Sequence, residues 1–190
     1  MDFTTAATLS ITILLAFTGY LATYVYNLRL AQRRDRLERL NHQLSDLYGP
    51  LFALQTSATY IWTEFRARNR AGFSSYWDPS APPTTVEEQA WRLWMREVFM
   101  PLNLQMSDVI VRNAALLEES TVPECLLRLC AHVAAYRAVM KKWKGGDYSE
   151  NTSWMTFPRE DLVHYTSETF RRLKEEQRRL LAASKLPGYG

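Results

Sequence analysis

FTTAATLSITILLAFTGYLATYVYNL, residues 3–28, runs directly into RLAQRRDRLER, residues 29–39, and this junction decides how the 190-residue chain is read. The first 28 residues carry one acid, Asp2, and no Lys, Arg or His. Ile11, Ile13, Leu14, Leu15, Phe17, Leu21 and Val25 form an uninterrupted apolar centre. A helix crosses the roughly 30 Å hydrocarbon layer with about 20 residues, so this run is long enough to span a bilayer. A cleavable leader needs a basic n-region and a short apolar core. Here the n-region is acidic and the apolar run is long, so a retained transmembrane anchor over 1–28 is expected.

The basic residues give the expected orientation. Arg29, Arg33, Arg34, Arg36 and Arg39 arrive together after the span, and basic residues flanking a span mark the cytoplasmic side. The expectation is a single-pass protein of the cell (inner or plasma) membrane, with its N-terminus outside and its C-terminal domain in the cytoplasm. Tyr20, Tyr24 and Tyr26 sit at the same end, where amphipathic rings settle among headgroups. With Arg29, Arg33, Arg34 and Arg36 they are the candidate lipid-boundary residues. The chain has net charge +3 and a pI near 8.9. Five Arg against Asp35 and Glu38 in residues 29–39 account for that excess, leaving the rest of the chain near neutral. Such a patch suits anionic lipid headgroups. No nucleic-acid partner is expected, because a binding domain of that kind concentrates its basic residues on the soluble part.

On a helical wheel Thr5, Thr8, Thr12, Ala16, Gly19 and Thr23 share one flank of the span. Lipid does not select one apolar face over another, so a face kept small is expected to meet a second helix. The predicted partner is another copy of the chain. A ring of copies with a hydroxyl-lined water path is the other arrangement such a face allows. The same flank continues through Tyr26, Leu30, Arg33, Leu37, Leu40, Leu44, Leu47, Leu51, Leu54, Ala58, Ile61 and Phe65 in steps of three and four. That spacing is the seam of a helix bundle or a coiled coil. From Leu37 onward it faces either the chain's own core, the favoured reading, or a partner helix.

The rest reads as all-α. The predicted organisation is a transmembrane anchor (1–28), a basic juxtamembrane helix (29–48), an antiparallel cytosolic helical bundle (49–184) and a flexible tail (185–190). Gly49-Pro50 predicts a kink or break after one long helix, and Pro101 predicts another inside the helix that begins near Thr84. Thr84 with Glu87, and Thr121 with Glu124, have capping-box spacing. Lys141, Lys142 and Lys144 before Gly145-Gly146 mark a helix end. Pro158 with Glu160 and Asp161 opens the last helix. The six Trp are expected in the core. The two longest loops, 72–83 and 145–157, both carry Trp, Tyr and Ser, and loops of that length are often functional.

Little catalytic chemistry is visible. Cys125 and Cys130 lie five apart on one predicted helix, a spacing that fits neither zinc nor a shared face. Both are expected reduced. No glycine-rich phosphate loop, nucleophile elbow or helical zinc-binding His pair occurs, so no metal or cofactor is expected. One constellation remains: Arg159-Glu160-Asp161-Leu162-Val163-His164 places four residues between Arg and His.

That spacing resembles the Arg-x4–6-His motif of HEPN-type helical ribonucleases. The anchored all-α architecture also resembles the HEPN-like membrane accessory proteins of type VI-B CRISPR systems, which form oligomers. The resemblance implies a membrane-tethered ribonuclease using Arg159 and His164 across a dimer, or a role in antiviral defence. Leu47-Tyr48-Gly49-Pro50-Leu51 after a basic helix is similar to a run in uncharacterised bacterial single-span membrane proteins with a cytosolic helical domain, a likeness that carries no function. The reading favoured by the residues is a non-enzymatic homo-oligomer, acting as a scaffold or as a membrane-perturbing pore component. A receptor for a small cytosolic ligand is a third class, one for which the sequence holds no fingerprint.

Overall fold

The computed structural model describes the backbone over residues 3–73 and 75–182, and side chains within that span from residue 11 onward. The expected tail at 185–190 lies outside the described residues. Among those residues the chain is all-α and contains no strand. The helices are α1 (Phe3–His42), α2 (Gly49–Asn69), α3 (Thr85–Trp94), α4 (Met100–Arg112), α5 (Glu124–Lys144) and α6 (Arg159–Ala182).

At the two internal prolines, where a kink or break is expected, the chain does not break. Helical backbone continues through both, because the turn ahead of each proline widens from α to π. These turns are Gln43–Tyr48 before Pro50 and Met95–Phe99 before Pro101. In each case the residue preceding proline donates its N–H five residues back, Gly49 to the Leu44 carbonyl and Met100 to the Met95 carbonyl. An α turn would drive the proline ring against the carbonyl four residues earlier, and the wider turn relieves that clash. The carbonyl of Asp46, which Pro50 has no N–H to satisfy, instead accepts from Asn113 Nδ2 at 2.8 Å. Gly49 is required for a second reason. A Cβ there would stand 2.3 Å from the Leu44 carbonyl oxygen.

Local capping signals succeed at one of two places. Thr84 Oγ1 accepts from the Glu87 N–H at 3.3 Å, and a Glu87 carboxylate oxygen accepts from the Thr84 N–H at 2.7 Å, closing the expected box. The Thr121–Glu124 spacing does not form one. Pro123 occupies the cap position of α5, and no side chain caps it. At the far end, Gly146 takes φ +83°, and the Asp147 N–H reaches the Lys142 carbonyl at 3.0 Å, as the Lys-Gly-Gly signal predicts.

The chain divides into two compact units. One contains α1 and the C-terminal turn of α6. Within it Leu40 is buried, Gln177 Nε2 donates to Asn41 Oδ1 at 2.7 Å, and the Arg33 guanidinium donates to the Leu180 carbonyl. Arg33, expected to interrupt the seam, is thus used inside it.

The other unit runs from His42 to Glu176, so its core begins upstream of the boundary expected at residue 49. Here α2 packs on α4 and α4 on α5. Helix α4 runs antiparallel to α2, with Asp46 beside Asn113 and Trp62 beside Phe99. So does α6, with Gln55 beside Thr166 and Trp62 beside Arg159. Phe52 stacks on Phe170 with centroids 4.7 Å apart, and Gln55 Oε1 accepts from Thr166 Oγ1 at 3.3 Å. The seam residues Leu44, Leu47, Leu51, Ala58 and Phe65 are buried. From there on the seam faces the chain's own core.

Candidate functional site

Two loops, 70–84 and 145–158, fold against the end of α2 that carries Trp62 and Arg66, and each is held there by identifiable donors. In the first, Arg70 is only 4% exposed. Its guanidinium meets Glu87 at 3.3 Å, donates to the Ala81 carbonyl and lies 4.1 Å from the Phe73 ring centroid. Tyr76 is buried beside it and donates its hydroxyl to the Glu87 carbonyl at 2.6 Å.

The second loop is held through its main-chain carbonyls. Asn151 O accepts from Trp91 Nε1 at 2.8 Å and from the Tyr136 hydroxyl at 2.6 Å. Glu150 O accepts from Trp143 Nε1 at 2.7 Å. Met155 O lies 2.6 Å from His132 Nδ1, and because a carbonyl can only accept, that nitrogen carries a proton. Burial lowers the His132 pKa, and the Met155 contact offsets part of the effect.

Between the loops lies a cavity of about 430 Å³. Helix α2 contributes Trp62 and Arg66, the first loop Ser75 and Trp77, and the following helices Trp91, Phe99 and Asn103. The wall also includes His132 and Tyr136 of α5, Thr152, Ser153, Thr156 and Phe157 of the second loop, and Arg159 and Glu160 at the start of α6. The rings interlock: Trp62 meets Trp91 and Phe99 edge-on at 5.9 and 5.8 Å, and Trp77 meets Trp91 edge-on at 5.6 Å.

Polar groups in this wall are left without partners. Arg159 sits 4.5 Å over the Trp62 ring and 5.5 Å from that of Phe157, and forms no ion pair among the described residues. Burial, and after it the Arg66 guanidinium, lower its pKa to about 10, so it stays charged at neutral pH. Arg66 donates to the Phe73 carbonyl, yet its Nε is buried and unpartnered, as is Trp77 Nε1. Asn103 is 5% exposed and makes no side-chain hydrogen bond among the described residues.

Arg159 and His164 differ in their surroundings. Arg159 lies in the aromatic wall, while His164 is exposed. Both border a shallow groove that includes Thr59, Val163 and Ser167. No cluster of His, Cys, Asp or Glu able to hold a metal occurs among the described residues. Cys125 is buried, Cys130 half-buried, and both are free thiols.

In the N-terminal unit, one helix is long and apolar enough to cross a membrane. None of the side chains from Ile11 to Leu28 is buried among the described residues. Thr12, Ala16, Gly19 and Thr23 are exposed, and nothing lies within 4 Å of a Cβ placed on Gly19. The Thr23 hydroxyl is satisfied within its own helix, donating to the Gly19 carbonyl at 2.9 Å. The side chains of Thr5 and Thr8 lie outside the described residues. Tyr20 and Tyr24 stack at 6.4 Å, Tyr26 is exposed, and so are Arg29, Arg34 and Arg36.

Sequence reasoning missed the cavity. Its only advance signal was two long loops rich in Trp, Tyr and Ser. The expectation that all six Trp are core residues is corrected: Trp91 and Trp143 are buried, Trp62 and Trp77 line the cavity, Trp94 is 37% exposed and Trp154 93%. Comparison of the chain with protein-family models, with curated proteins and with solved structures finds no match.

Proposed function

We propose that the chain is a non-enzymatic, single-span protein of the cell membrane that self-associates through its apolar helix and acts as a scaffold at the cytoplasmic face. The N-terminus lies outside and the bundle inside. The observation that carries this reading is the uncovered apolar surface of α1 from Ile11 to Leu28. Such a surface is costly in water and requires lipid or protein cover. The aromatic and basic collar at its cytoplasmic end matches a headgroup boundary. On the exposed small face, Gly19 leaves space for a second backbone to approach closely.

The test is cross-linking of the full chain in its native membrane. Gly19→Leu fills the face with a branched side chain and lowers the cross-linked fraction, without changing membrane extraction by detergent. An unchanged oligomer removes the small face from the interface. Copy number discriminates between tight helix pairing and a ring of five or more copies around an aqueous lumen.

A further inference from the structure

The aromatic cavity is unused by the membrane scaffold, and its wall is unfavourable when empty. Two guanidiniums, Arg66 and Arg159, line it without a carboxylate partner among the described residues, close enough for the charge of Arg66 to disfavour that of Arg159. The single acid of the lining, Glu160, is exposed and pairs with neither. Both arginines are half-buried, and like charges that are partly removed from water without a counterion repel, which an anion between them relieves. Guanidinium forks match phosphate oxygens in pairs, and a phosphate monoester brings nearly two negative charges, one for each Arg.

The remainder of the wall calls for a flat ring. Trp62, Trp77 and Phe99 present apolar ring surface, and a volume of about 430 Å³ lies within the range of sites for small organic ligands. Trp77 Nε1 then supplies an unsatisfied donor for the edge of that ring, and the Asn103 amide lies in the same wall.

We propose that this cavity binds an aromatic phosphate monoester, its phosphate between Arg66 and Arg159 and its ring against Trp62 and Trp77. This proposal is independent of self-association, since every lining residue belongs to a single chain.

The test is isothermal titration of the full chain in detergent micelles with 1-naphthyl phosphate, 1-naphthol and inorganic phosphate. Saturable binding of 1-naphthyl phosphate is expected, with 1-naphthol and inorganic phosphate each at least about tenfold weaker. Arg66→Gln and Arg159→Gln should each weaken 1-naphthyl phosphate by at least about tenfold. If a Gln variant fails to fold, the corresponding Lys variant keeps the charge, loses the fork and must still bind more weakly. Equal affinity for 1-naphthol makes the site a plain apolar pocket and overturns the proposal. Equal affinity for inorganic phosphate, unaffected Arg variants, or no saturable binding at millimolar concentration overturns it as well.

Discussion

His132 is a histidine whose protonation the fold opposes. It is 6% exposed, its Nδ1 proton is committed to the Met155 carbonyl, and its ring packs against Phe157 at 5.5 Å. Its folded pKa lies below the ordinary value near 6.5. The unfolded chain therefore takes up a proton at that position before the folded one does, and stability falls as pH drops below about 6.5 toward the folded pKa. In urea titrations of the detergent-solubilised chain, the midpoint should fall between pH 7 and pH 5. That fall should shrink in His132→Asn, which keeps a donor for Met155 and cannot be protonated. Equal falls in both proteins would assign the acid sensitivity elsewhere.

Among the elements, the proline-preceding turns set what α2 tolerates. Alanine normally improves a helix over glycine by about 1 kcal/mol. At Gly49 the sign reverses, because the added Cβ would meet the Leu44 carbonyl at 2.3 Å. Gly49→Ala should cost about 2 kcal/mol, in the range of other overpacked sites, read as a lower denaturation midpoint by circular dichroism. A stabilised variant would mean that the π turn converts freely to an α turn. This turn also shows where the sequence stops being legible. The Thr84–Glu87 box could be foreseen because its partners are three residues apart. The fate of Pro50 could not, since the carbonyl it strands is satisfied by Asn113, far along the chain. Likewise the Thr121–Glu124 spacing matched a cap that Pro123 pre-empts. The leucine seam was readable as a stripe, but its partner became clear only from the burial of Leu44, Leu47 and Leu51.

For the whole molecule, the charge step at Arg29 makes an orientation prediction. In inside-out membrane vesicles, proteinase K should remove the bundle, and in right-side-out vesicles it should leave the bundle intact until the membrane is lysed. Replacing Arg29, Arg33, Arg34 and Arg36 together with Gln should give a mixture of orientations. Digestion from the outer face of the unaltered protein would reverse the topology. The long apolar helix and its basic flank were legible because length, hydropathy and charge are local properties of the sequence. The cavity was not legible, because it exists only once two loops separated by α3, α4 and α5 meet. Several of the groups that bring in the second loop are carbonyls, which leave no mark in a sequence.

That mode of attachment bears on how the protein can evolve. Glu150, Asn151 and Met155 are grasped by their carbonyl oxygens, a feature shared by all twenty amino acids. Mutational drift along this loop can therefore exchange the side chains at 152 and 156 while its course stays tethered. A lineage could in this way acquire a different chemical taste without rebuilding the helices beneath.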